Sequence, residues 1–309
     1  MTLTQLNYMI AVAEAGNFTL AAEKSFVTQP TLSMQIQKLE EELDVQIFNR
    51  TKKPIRLTAV GEEILVQARK IIAEAKRMDD IVAQEKGFIG GPFRLGIIPT
   101  VMPTLLPLFL THFMKNYPKV DLHIEELNTD NIMTRLQEGK LDAGIAATPL
   151  KNEKLLERPL YYEPFVGYVP KKHRLHQSKE IHPENIENES VLVLEDGHCF
   201  RNQVLSMCSI KDSQKKKAFQ LKSGSFETLI NLSNQGMGMT LVPYLNAQNL
   251  NEENKENLKH FTSPPPAREI SLVYPKSQLK LQIIGALNKS ITSIIRGLIA
   301  FEDVKIVAP

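Results

Sequence analysis

The chain has only two thiols, Cys199 and Cys208. The first lies in Leu194-Glu195-Asp196-Gly197-His198-Cys199-Phe200-Arg201-Asn202-Gln203. Asp196-Gly197 predicts the end of a strand and the start of a helix running to about Met207, with Cys199 in its first turn. A helix N-terminus favours anions, so a thiolate there is stabilised. Arg201 is close enough in sequence to add positive charge, and His198 can donate a hydrogen bond or carry a proton. Cys199 is therefore a candidate nucleophile. Cys208 follows nine residues later, about 13 Å of rise and half a turn along a continuous helix. A disulfide needs Cα atoms within about 7 Å. The two sulfurs can join only if the helix unravels, which would turn an oxidation into a conformational change. The same residues also fit a plainer role, because lone cysteines in a reducing compartment are commonly small buried hydrophobes. Zinc held by His198, Cys199 and Cys208 matches no common ligand spacing. Thr100 and Thr129, taken alone, are loop hydroxyls, and Lys211 and Lys215-Lys216-Lys217 read as a solvated surface.

The elements that must position these groups begin far upstream. Leu6, Ile10 and Ala13 mark one buried helix face. Gly16 ends that helix, Asn17 caps a second over about Phe18 to Lys24, and Thr28 caps a third. In the third helix Leu32, Ile36, Leu39 and Leu43 form a narrow apolar arc, opposite Pro30, Thr31, Met34, Gln37 and Lys38, with Ser33 on the flank. Two short helices and a tight turn are helix-turn-helix architecture. Phe48 to Thr58 reads as a short β-wing with four basic residues and no acid. Residues 1–87 carry 11 basic against 12 acidic residues, so any case for nucleic acid rests on the cluster Arg50–Arg56 and not on domain charge. From Thr58 to Gly87, Ile64, Ala68, Ile71, Ala75, Met78 and Val82 repeat at 4, 3, 4, 3, 4, an a/d seam. It predicts either packing on its own domain or, preferred here, pairing of two such helices in a dimer that reads two half-sites.

Beyond Phe88, strands and helices alternate. Strands are expected at Phe93–Ile98, Val120–Ile124, Leu141–Ala146, Phe165–Val169, Val191–Leu194, Lys217–Leu221, Met239–Val242 and Ile270–Tyr274. Helices are expected at about Pro103–Tyr117, Asn131–Gly139 and Leu279–Phe301. The pattern predicts a mostly parallel α/β sheet, with clefts beyond strand ends at Pro99-Thr100 and Asn128-Thr129. Ser263-Pro264-Pro265-Pro266 reads as a crossover between two lobes. With 42% hydrophobic and 23% charged residues, disorder and fibrous repeats are excluded as global descriptions. The most apolar run, Ile97–Leu110, is broken by three prolines and is too short to span a bilayer. Met1-Thr2-Leu3-Thr4 lacks the pattern of a secretory signal. A cytoplasmic protein with reduced thiols and no membrane partner is expected.

Winged helix-turn-helix, coiled-coil helix and two-lobed α/β domain, in that order, resemble the LysR-type transcriptional regulators. The resemblance rests on Ala21-Ala22, Gln29-Pro30-Thr31-Leu32-Ser33, Leu39-Glu40, Phe48, Arg50 and Leu57-Thr58-Ala59-Val60-Gly61, and it covers the whole chain. It implies a DNA-binding domain over residues 1–58, a dimerisation helix over 59–87 and a regulatory domain over 88–309 similar to periplasmic binding proteins. One lobe would span about 88–162 and 267–309, the other about 163–266. It places Gln29, Pro30, Thr31, Ser33, Met34 and Lys38 on the DNA-facing helix, with Arg50, Lys53 and Arg56 near backbone phosphates. It also implies a homodimer that pairs into a tetramer, RNA polymerase as a partner, and no cofactor or metal.

Within that family the Cys199 segment, Cys208, Ile97-Ile98-Pro99-Thr100-Val101 and Arg268 are similar to the peroxide-sensing members. This implies a peroxidatic Cys199, a resolving Cys208, supporting roles for His198 and Arg201, and a peroxide pocket of Thr100, Thr129, His198 and Arg268. A cellular thiol would reduce the disulfide. Asn202 and Ala267 depart from that pattern, at positions where many members carry an acid and a base. Two other functions are weighed: a regulator binding a small organic effector between the lobes, with structural cysteines, and a thiol peroxidase. The N-terminal 87 residues argue against an enzyme, which has no use for a wing and a recognition helix.

Overall fold

The computed structural model describes residues 1–51, 54–85, 89–187, 189–207, 223–299 and 304–309. The chain divides into two compact units, Met1–Phe88 and Ile89–Pro309.

The first unit contains α1 (Leu3–Ala15), α2 (Phe18–Lys24), α3 (Gln29–Leu43), β1 (Phe48–Asn49), β2 (Arg56–Leu57) and α4 (Ala59–Glu85). Helix ends follow the capping chemistry. Thr2 and Gln5 close a capping box on α1, and Gly16 ends it at φ +60°. Asn17 and Thr28 accept from the first-turn amides of α2 and α3. The buried face of α1 is Leu6, Met9 and Val12, so the period is shifted from the expected Leu6, Ile10, Ala13. On α3, Leu32, Ile36 and Leu39 are buried, but Leu43 lies at the helix end and stays exposed. β1 and β2 pair antiparallel as the wing. A Cβ on Gly61 would sit 2.3 Å from the carbonyl oxygen of Ile47, so the first turn of α4 can press against the wing only because residue 61 is glycine. The seam of α4 divides in two. Ala68 and Ile72 are buried in the helix-turn-helix core and Ile64 and Ile71 pack on it, whereas Met78, Ile81 and Val82 are more than half exposed.

The second unit runs β3 (Gly91–Ile97), α5 (Met102–Asn116), β4 (Val120–Glu126), α6 (Thr129–Gln137), β5 (Ala143–Thr148), β6 (Leu155–Tyr168), β7 (Glu180–Ile181), β8 (Val191–Leu192) and α7 (Cys199–Met207). There follow α8 (Phe226–Asn234), β9 (Met239–Pro243), α9 (Tyr244–Gln248), α10 (Glu252–Lys255), β10 (Leu258–Phe261), β11 (Pro266–Pro275), α11 (Leu281–Ile295) and β12 (Lys305–Ile306). The sheet is mixed. β3 pairs in parallel with β4 and β5, but β11 runs antiparallel to both β5 and β6, and β6 antiparallel to β9 and β10. The expected mostly parallel sheet is corrected by these two long crossing strands, which carry the chain between lobes in opposite directions.

β6 is 14 residues long and begins well before the expected Phe165. Its Leu160 and Tyr161 belong to one hydrophobic core and its Phe165, Val166 and Tyr168 to a second. α11 ends at Ile295, earlier than the periodicity suggested. The strand expected at Lys217–Leu221 lies outside the described residues.

Candidate functional site

A buried ion pair anchors the site. Arg268 on β11 stands opposite Glu163 on β6 in the strand register, and both side chains are 1% exposed. Arg268 Nε and Nη2 donate to Glu163 Oε2 at 3.0 and 2.7 Å. Nη1 donates to Thr100 Oγ1 at 2.9 Å and Nη2 to the Thr100 carbonyl at 3.1 Å. Glu163 Oε1 accepts from the backbone N–H of Leu245 at 3.0 Å. Both charges thus have fixed partners, the condition for burying them at all. The guanidinium also lies 5.3 Å from the Phe200 ring centroid.

Cys199 is the first residue of α7, after Gly197 turns the chain at φ +92°. Its helix sends Phe200 and Val204 into the second lobe's core, yet Cys199 itself packs against the first lobe's core. The thiol therefore bridges the two lobes. Burial pushes its pKa above the ordinary cysteine value. Arg268, the Thr129 hydroxyl and the backbone N–H groups of Phe200 and Cys199 pull it down, and together they do not overcome burial. The N-terminal position on the helix thus acts in the expected direction but is outweighed. Among the described residues, the buried hydroxyl of Thr129, in the first turn of α6, has no partner besides the nearby Cys199 sulfur, which it approaches closely enough to favour the thiolate.

Thr100, Thr129, Arg268 and Cys199 are thus brought together from β11 and the starts of α5, α6 and α7. Arg201 is not part of this group. Its Nε pairs with Asp196 at 3.0 Å and its Nη1 donates to the Leu194 carbonyl at 3.0 Å, so it stitches the turn before α7. The cation near the sulfur is Arg268 instead, 69 positions along the chain. His198 lies against Gly224, where a Cβ would come within 2.8 Å of its Nε2. Cys208 lies outside the described residues. Two site groups had no signal in the sequence. Glu163 neutralises Arg268, and Tyr161 has a buried hydroxyl without a partner among the described residues, its pKa pushed up by burial and by Glu163.

In the first unit Gln29, Pro30, Met34 and Lys38 are exposed on α3, while Thr31 and Ser33 are half-buried. The Thr31 hydroxyl is 2.8 Å from that of the cap Thr28. Arg56 is exposed on the wing, and Lys53 lies outside the described residues. Arg50 is tied to Glu40 at 2.7 Å and stacks over Phe18. Glu40 also accepts from the amides of Ile47 and Phe48, so this pair fastens the wing to α3.

Two family models match the chain: the bacterial regulatory helix-turn-helix protein of the lysR family over residues 3–62, and the LysR substrate binding domain over residues 86–287. The protein belongs to the LysR family of transcriptional regulators. It is a DNA-binding regulator and not an enzyme. It is similar to the hydrogen peroxide-inducible genes activator of Pectobacterium carotovorum, 34% identical over 281 residues, covering 91% of this chain and 92% of that protein. The DNA-binding transcriptional dual regulator OxyR of Escherichia coli K12 is likewise 34% identical, over 91% and 92% of the two chains. Among solved structures, a full-length OxyR cysteine variant from Pseudomonas aeruginosa matches with TM-score 0.77 at 33% identity, over 94% of each chain. A peroxide-bound OxyR variant from Corynebacterium glutamicum matches with TM-score 0.64 at 28% identity, over 97% of this chain and 94% of that one.

Proposed function

We propose that this regulator is switched by hydrogen peroxide at Cys199. The observation that carries the reading is the thiol held beside Arg268 and a Thr129 hydroxyl, a setting that offers a cation and a donor for an oxyanion. The similarity to peroxide-responsive activators supports it. Thr100 already accepts from Arg268, which weighs against the cleft as a site for an organic effector. The Cys199 thiolate attacks one peroxide oxygen. The S–O bond forms, the O–O bond breaks, and hydroxide leaves and takes a proton to become water. Cys199 becomes a sulfenic acid. The Cys208 thiolate then attacks that sulfur, expelling hydroxide, which is again protonated to water, and closes a disulfide around eight intervening residues. A cellular dithiol reverses it by exchange. The working form is a dimer that pairs into a tetramer, acting on an operator and RNA polymerase in a reducing compartment. No described helix is long and apolar enough to cross a membrane.

Cys199→Ser is expected to abolish the loss of free thiol on adding one equivalent of peroxide, and the peroxide-dependent change in operator footprint, while leaving DNA affinity intact. A variant that still responds would refute the assignment. Because burial raises the thiol pKa, the rate of the wild-type protein with peroxide should climb as pH rises and continue to climb past about 8.5, the ordinary cysteine value.

The exposed face of α3 and the wing are assigned to DNA. Arg56→Ala should weaken binding to all sequences alike and lower the slope of log affinity against log salt by about 1. Gln29→Ala should instead relax preference at one base pair, at a cost of about 1–3 kcal/mol there. Competition binding over a salt series separates the two, and the opposite pattern would reverse the orientation assigned to α3.

A further inference from the structure

The last residues of the chain return to the site. β12 pairs in parallel with the start of β11, Lys305 beside Pro266 and Ile306 beside Ala267. Val307 then uses both of its backbone groups. Its N–H donates to the Ala267 carbonyl at 2.8 Å, one residue before Arg268. Its carbonyl accepts from Gln203 Nε2 at 2.7 Å, one helical turn beyond Cys199 on the same face of α7. Its side chain packs against the second lobe's core. One residue therefore links the strand that carries Arg268 to the helix that carries Cys199.

Gln203 is fully buried and, among the described residues, its Oε1 has no hydrogen-bond partner. An unsatisfied buried acceptor is destabilising, and an apolar side chain of similar size would avoid it. The amide thus gains the fold little except the bond to Val307.

We infer that Gln203 and the C-terminal strand are positioning elements of the thiol site: through Val307 they hold the start of α7 against β11 and keep the Cys199 sulfur beside Arg268 and Thr129. This rests on Cys199 being the thiol that peroxide oxidises. Without the tie the helix start is free to draw back, so the sulfur loses its cation and gains access to solvent. A change that loosened the domain generally would move every thiol reaction in one direction. Loss of positioning moves two reactions in opposite directions.

The test uses the full-length reduced protein and two variants, Gln203→Met and a deletion of residues 304–309. Cys199 modification by peroxide and by iodoacetamide is followed by mass spectrometry, with a melting curve for each. In both variants the peroxide rate should fall about five-fold, the worth of one ordinary hydrogen bond, while iodoacetamide alkylation rises. Rates that stay unchanged, or that rise or fall together, would overturn the inference. If the wild-type thiol itself ignores peroxide, the functional reading fails, and faster alkylation of Cys199 in both variants still decides whether the tie positions it.

Discussion

Replacing Arg268 by alanine will cost the regulatory domain about 3–5 kcal/mol, because it strands the buried Glu163 carboxylate without its partner. Urea unfolding at neutral pH measures this directly. The double variant Arg268→Met with Glu163→Gln removes both charges and keeps the volume, and should recover most of the loss. It should not recover the chemistry. Arg268 lowers the Cys199 pKa, so in the double variant the pH profile for peroxide oxidation should move to more alkaline values. If stability and reactivity return together, the pair is structural only.

The second large effect concerns α7. In the reduced protein residues 199–207 form a helix with Phe200, Gln203 and Val204 buried. The eight steps from Cys199 to Met207 rise about 12 Å, and a disulfide tolerates about 7 Å between Cα atoms. Closing Cys199 to Cys208 must therefore open the helix and withdraw Phe200 from its contacts with Phe165, Phe226 and Arg268. Amide exchange across residues 200–207 should be slow in reduced protein and fast in oxidised protein. With Cys208→Ser treated with peroxide, protection should persist. Equal protection in the two redox states would remove helix opening from the mechanism even with the disulfide proven.

How much of this was legible in advance depends on the range of the interaction. Asn17, Thr28 and Gly16 act on amides a few residues away, so the ends of α1, α2 and α3 could be placed by capping chemistry alone. Asp196-Gly197 likewise located the start of α7. The strand ends mark Thr100 and Thr129 as cleft residues, but their role and that of Arg268 came from a family resemblance, since nothing local to Arg268 signals a site. Arg201 shows why proximity in sequence misleads: a nearby acid, Asp196, takes it first. Glu163 and Val307 were not legible. One is a carboxylate within a strand whose partner lies 105 residues away, and the other acts only through its backbone. The α4 seam reads as one heptad pattern, yet a side chain's period cannot say where a domain surface stops, and the domain covers only its first half.

β6 contributes to both cores of the second unit without a break, and β11 lies along it from Leu155 to Pro164. Two lobes joined by loops alone can melt one after the other. Lobes that share one strand, here with a register shift between Ile270 and Ser271, lose it in both places at once, because fraying either end exposes apolar surface in its own core. Heating the regulatory domain should therefore give one calorimetric transition, with van't Hoff and calorimetric enthalpies in agreement.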